Sequence, residues 1–240
     1  MRKAATALLI FPSLAISSCI TMSYIPHIPK YTPRISLDIS PRTINKSAQI
    51  ALFEDVSPEE DKKTPFMGLS VTDYELWGCE LDLEVTNAVI ADFSANRLFK
   101  EAGRKVENPD FIIKGEIKKF CGKYQLNTFA KASSMMLLAG AIVLAATRDP
   151  MVSVTFLPAL AWYSGIPIST NAAEAVIEMR LYDNKNNLIN TYTGKSIDFI
   201  SASVYKNKAS QVVAMTNRAF SKAIMQIRDQ ILADAARLGF

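Results

Sequence analysis

The sequence predicts a mixed α/β (α+β) fold: a small mixed sheet carrying two main amphipathic helices, with an apolar helical hairpin inserted into it. Three observations carry this expectation. Residues 49–55, 111–120, 172–182 and 188–199 are continuous or alternating apolar runs of strand length. Residues 73–100 and 210–238 instead repeat their apolar positions every three to four residues, as a helix with one buried face does. Such helices bury their stripes against a sheet, which is how layered α/β domains form. Almost half of the chain is apolar, 49%, so there is material for a core.

Each element has its own signal. Gln49-Ile50-Ala51-Leu52-Phe53-Glu54-Asp55 reads as a buried strand that ends at an acidic turn, and Ser57 to Lys63 (SPEEDKK) as a charged loop. In the segment Asp73 to Lys100, Leu81, Val85, Val89, Phe93 and Leu98 define one apolar face, and Ala102-Gly103 supplies a glycine stop. Pro109-Asp110 opens the next strand, Phe111 to Phe120 (FIIKGEIKKF), with Ile113, Gly115, Ile117 and Lys119 on one side. The alternation there is imperfect. A strand–helix–strand unit of this kind predicts a right-handed crossover between parallel strands. In Ala172 to Tyr182, Ala175, Ile177, Met179 and Leu181 point one way. Asp183 to Asn187 (DNKNN) is a strong turn signal, and Leu188 to Phe199 returns, giving a hairpin. Ser210 to Leu238 closes the chain as a long helix with Val213, Phe220, Ile224, Ile227, Ile231 and Leu232 in its stripe.

Residues 132–170 interrupt this plan. Ala132 to Thr147 and Met151 to Thr170 carry no charge, and Arg148-Asp149-Pro150 separates them. Apolar character without period-two alternation favours helix, while Pro158 and Pro167 break or kink the second arm. As a helix, 132–147 reaches about 24 Å, short of a hydrocarbon core of about 30 Å. A clean pair of transmembrane spans is therefore not expected. Three readings are open. The hairpin enters a membrane, with Trp162 and Tyr163 as interfacial anchors; it packs against other subunits in a ring; or it is the protein's own core. The length of the run and the small sheet available to cover it favour membrane or partner contact. The contact residues would be Met135, Leu137, Leu138, Ile142, Leu144, Phe156, Leu160, Trp162 and Tyr163.

The N-terminus reads as a targeting segment. Met1-Arg2-Lys3 is a basic start, and Ala4 to Ile16 is an uncharged, mostly apolar run too short to span a bilayer. It ends in Ile16-Ser17-Ser18-Cys19, which resembles a bacterial lipobox. That resemblance implies cleavage after residue 18 and a diacylated, N-acylated Cys19, a covalent lipid of palmitate type and an effectively permanent anchor. The expected organisation is a signal peptide (1–18), a Pro-rich tether (19–46, with Pro26, Pro29, Pro33 and Pro41) and a folded domain in two parts, 47–131 and 171–240, around the insertion 132–170. Cys79 and Cys121 remain as an even pair in an oxidising compartment. They form either a disulfide closing a loop of about 40 residues or two separate buried thiols.

Composition excludes several functions. The net charge of +4 falls to about +2 when Arg2 and Lys3 leave, and both signs are interspersed, which gives no support to a nucleic-acid role. The single histidine, His27, sits in the tether, so neither a metal site nor a His-based triad is expected. No Gly-rich phosphate loop, GxSxG or HExxH is present. The acids of Glu54-Asp55 and Glu59-Glu60-Asp61 suit solvated turns better than general acid/base pairs. Tyr74, Trp77 and Tyr182 read as aromatic core more readily than as a ligand groove. No enzyme activity and no cofactor are expected.

The lipobox, the ALFEDV strand, the helix ending ANRLFKEAG, the DFIIKGEIKKF strand and the AVIEMRLYDNKNNLINTYTG hairpin together resemble envelope lipoproteins. Their folded part is similar to the N-terminal domain of the Tol-system translocation protein, and the curli-secretion and exopolysaccharide-export ring lipoproteins share the general plan. The resemblance covers residues 47–125 and 172–238 and departs at the insertion. It implies a non-enzymatic, lipid-anchored component of an envelope assembly or export complex, working as a homo-oligomer or with other envelope subunits. Ile20, where enteric bacteria place an aspartate to retain lipoproteins in the inner membrane, implies the outer membrane, facing the periplasm. The alternative is a periplasmic lipid- or glycan-binding accessory lipoprotein of a transporter, with the insertion forming an apolar pocket.

Overall fold

The computed structural model describes residues 44–63, 65, 68–70, 80–149, 151–152, 154, 157, 161–203 and 209–238. Among these, seven strands form one mixed sheet: β1 (Ile44–Ile50), β2 (Glu54–Asp55), β3 (Gly68–Ser70), β4 (Phe99–Gly103), β5 (Phe111–Leu126), β6 (Ser169–Asp183) and β7 (Leu188–Ala202). The helices are α1 (Glu59–Lys62), α2 (Leu81–Ala95), α3 (Thr128–Thr147) and α4 (Ala209–Leu238). The fold is α+β, as the periodicities predict. The sheet runs β4-β1-β5-β6-β7, and β2 and β3 lie along β5 beyond the end of β1. β1 is parallel to β4 and to β5, whereas β5, β6 and β7 form an antiparallel meander.

The expected crossover is therefore built with an extra strand. The helix expected over 73–100 ends at Ala95 among the described residues, because Arg97 turns left-handed at φ 50°. The N–H of Arg97 donates to the Ser94 carbonyl at 3.1 Å and that of Leu98 to the Phe93 carbonyl at 2.9 Å. This is a Schellman stop in which arginine stands where glycine is usual. Leu98 is buried, but as the lead-in to β4, and Gly103 closes that strand instead of a helix. The first strand also differs from expectation. It starts at Ile44, inside the expected tether, and breaks at 51–53 before β2. At the break, the N–H of Phe53 donates to Thr86 Oγ1 of α2 at 3.0 Å, and that hydroxyl donates back to the Asp82 carbonyl.

The imperfect alternation in β5 has a local cause. Ile117 pairs with Ile177 and Lys119 with Val176, so Lys118 is an extra residue, a β-bulge. Ile113, Gly115 and Ile117 are buried as expected, but the bulge flips Lys119 outward and Phe120 inward. Ala175, Ile177, Met179 and Leu181 of β6 all face the core, as do Phe220, Ile224, Ile227 and Ile231 of α4. That core lies between one face of the sheet and the helices α2 and α4.

Two close approaches fix this layer. A Cβ on Gly115 would overlap the ring of Phe53, and a Cβ on Gly194 would overlap the carbonyl of Ala223 in α4. Because α4 lies so near the edge strand β7, its side chains reach the unpaired backbone there. Gln226 accepts the Lys195 N–H at 2.9 Å, and Gln230 accepts the Thr193 N–H at 3.3 Å while donating to the Thr193 carbonyl. An exposed edge is an aggregation hazard that this contact blunts.

Candidate functional site

Beyond the bulge at Lys118, β5 and β6 stay paired up to Leu126 opposite Ser169. Residues 127–168 are therefore an excursion from the end of a long hairpin. Asn127 starts it. Its side chain accepts the Ala130 N–H at 2.8 Å and donates to the Pro167 carbonyl at 2.7 Å, while its own N–H donates to the Ile168 carbonyl at 2.9 Å. One residue thus caps α3 and clasps the two ends of the excursion.

The cap lets α3 begin four residues before the uncharged run. The helix has 20 residues, a length of about 30 Å instead of the 24 Å expected from the sequence. It ends at Arg148, left-handed at φ 56°.

The third sequence reading, that this segment is the protein's own core, does not hold for α3. Of its most apolar stretch only 17% is buried. The buried positions are Ala130, Ser133, Ser134 and Gly140. A small second core of Ala130, Trp162 and Ile168, with Leu126 against it, holds the base of the arm. Trp162 Nε1 donates to Ser133 Oγ at 2.9 Å.

The sequence-predicted contact residues therefore separate into two groups. Met135, Leu138, Ile142 and Tyr163 are exposed, at 52%, 58%, 62% and 59%. Leu137 and Leu144 are half-buried, and Trp162 is buried as the clasp at the base. Phe156 and Leu160 lie outside the described residues, as do Cys19, Tyr74, Trp77 and Cys79. Sequence reasoning did not single out Met136 and Val143, which extend the exposed face, or Met151, Val154, Leu157 and Ile166, exposed on the returning segment.

Among the described residues the polar groups elsewhere form no comparable site. The open face of β5 and β6 carries a self-neutralising network: Glu116 with Lys118 and Arg180, Glu178 with Arg180, Glu174 with Lys119, and Asp61 with Lys123. Cys121 is a free, buried thiol. Burial, and then the nearby Asp61 carboxylate, push its pKa up, which keeps it protonated and weakly nucleophilic.

Between α2 and α4, Arg228 Nη1 lies 3.3 Å from Asp92 Oδ1, and Asn96 Nδ2 donates to the same oxygen at 3.0 Å. Burial raises the Asp92 pKa, and Arg228 and Asn96 pull it back only in part. Asp92 Oδ2 and Asn96 Oδ1 have no protein partner. Among the described residues no group of three or more His, Cys, Asp or Glu side chains is placed to hold a metal ion. The feature with functional content is thus the arm.

Against known proteins, no family model and no curated protein matches this chain. Several solved structures show a loose likeness, among them these two. Protein XCC0632 from Xanthomonas campestris, described as DUF330, aligns at TM-score 0.44 and 10% identity over 85% of this chain and 98% of its own. An uncharacterized protein aligns at TM-score 0.38 and 12% identity over 80% of this chain and 99% of its own. Likeness this loose carries no argument about function.

Proposed function

We propose that this protein is a lipid-anchored, non-enzymatic component of a bacterial envelope assembly or export complex, acting through protein and membrane contacts. The observation that carries the reading is the arm: a long apolar helix with exposed Met135, Met136, Leu138, Ile142 and Val143, raised on a separately packed α+β body. Exposed apolar surface of this extent is unfavourable in water and marks a contact surface. The lipobox-like Ile16-Ser17-Ser18-Cys19 and the Pro-rich tether supply the expected anchor and reach. The body supplies stability and the arm supplies contact.

The test is native mass by light scattering of the mature protein in mild detergent, with mass spectrometry of the Cys19 peptide. Acylated Cys19 and a defined oligomer, or a stable complex with envelope subunits, is the expected result. A folded monomer that joins no envelope complex would overturn it. Co-purified lipid or glycan held in a one-to-one complex would favour the accessory-lipoprotein alternative.

A further inference from the structure

We infer that the exposed face of α3 is occupied by the acyl-chain interior of a lipid bilayer, not by a second protein surface. The inference rests on the envelope reading above for bringing the domain to a membrane; the chemistry of the arm stands independently of it.

Protein interfaces combine an apolar centre with a polar rim and regular hydrogen bonds. From Ala132 to Ala146 the only polar side chains are Ser133 and Ser134. Both are turned onto their own helix: Ser133 Oγ donates to the Phe129 carbonyl at 2.8 Å, and Ser134 Oγ to the Ala130 carbonyl at 2.8 Å. Thr147 does the same to Val143 at 2.9 Å. Each of these hydroxyls thus donates within its own helix, as hydrocarbon requires, and Ser133 Oγ also accepts from Trp162 Nε1 at the base. What α3 turns outward over this length is methyls, methylenes and thioethers, which give a protein partner nothing to orient by.

The apolar character also runs around the whole helix. The buried line Ala130, Ser133, Ser134 and Gly140 is small and apolar or back-bonded, and the exposed line is Met135, Met136, Leu138, Ile142 and Val143. A helix apolar on all sides belongs in a large core or a membrane, and the core of this fold lies elsewhere.

The ends are marked as well. Lys131 and the exposed Tyr163 sit at the base, and Arg148-Asp149 at the tip. A basic residue beside an aromatic is the composition of a membrane interface. The charge-free stretch between Lys131 and Arg148 is about 24 Å long. The long stems of both cations can carry their charges outward to headgroups, and the bacterial outer membrane is thinner than average. The geometry thus sets the base at the near headgroups, residues 138–142 at mid-depth and Arg148 at the far headgroups.

The test uses the full acylated chain reconstituted in vesicles of phosphatidylethanolamine and phosphatidylglycerol. An environment-sensitive fluorophore is placed by Ile142→Cys, with Cys79→Ser and the buried Cys121 retained. The control places it by Asn186→Cys, on an exposed turn far from the arm. Anchor and tether are the same in both, so nearness to the membrane cancels. Lipids brominated within the acyl chain should quench the probe at 142 several-fold more strongly than at 186, with a blue-shifted emission. Adding Leu138→Asp should weaken that quenching while circular dichroism stays unchanged. Equal quenching at the two positions would overturn the inference. A blue-shifted probe at 142 that bromolipid does not quench would overturn it too, and would assign the face to protein. Mass spectrometry of the same sample reads Cys19 acylation separately, so a failed anchor and a failed insertion are distinguishable.

Discussion

Gly194, Arg228 and Arg97 each hold a position that the neighbouring chain imposes. At Gly194 the constraint is space, because the Ala223 carbonyl of α4 fills the place of a Cβ. Gly194→Ala must push α4 off β7, and overpacking of this kind costs about 1–3 kcal/mol or more. Urea unfolding should show the loss as a lower midpoint.

At Arg228 the constraint is charge. Arg228→Met leaves the Asp92 carboxylate buried without its cation and should cost about 3–5 kcal/mol, most of which the double change Asp92→Leu/Arg228→Met should restore. The pH dependence has a definite sign. The Asp92 pKa is raised in the fold, and loss of Arg228 raises it further, so the folded state takes up the proton more readily than the unfolded chain. The deficit of Arg228→Met should be smallest in acid, below the ordinary aspartate range, and grow as pH rises through the raised pKa. Unfolding midpoints measured across pH would check this.

Arg97 holds a left-handed backbone that costs a side-chain-bearing residue about 1–2 kcal/mol. Arg97→Gly should therefore raise stability by about 0.5–1 kcal/mol after the greater freedom of unfolded glycine is counted. Thermal unfolding would register the gain.

Among the elements, legibility in the sequence followed the strength of the period. The hairpin of β6 and β7 and the helix α4 lie within a few residues of where alternation and the three-to-four repeat put them, because each keeps one face buried or half-buried over most of the residues described. β4 was not legible. Its five residues, FKEAG, carry no alternation, and only the parallel partner β1 makes them a strand. The bulge at Lys118 was visible only as noise in the β5 pattern, since the register that defines it belongs to β6. In α3 the apolar run announced a helix, but its length depended on the Asn127 cap, whose second contact is with Pro167, 40 residues away.

For the molecule as a whole, the two cores make the arm and the body separable. The main core contains no residue of α3, and the arm is held by its own cluster at the base. Replacing residues 127–168 by an Asn-Gly turn between Leu126 and Ser169, which already pair, should leave a cooperatively folded body with an unfolding free energy close to that of the full chain. Its circular dichroism should lose helix and keep strand. An unfolded product would mean that the arm is needed by the body.

By itself the sequence determined the α+β class, the hairpin, the last helix and the existence of an uncharged apolar segment, because these depend on local period and composition. Only the tertiary structure decided which apolar residues are used up in cores and which stay outside. Burial is a property of what lies opposite a side chain, and no spacing along the chain records it. Thus Met179 and Met135 look equally apolar in sequence, yet one is fully buried beneath α4 and the other is 52% exposed on the arm.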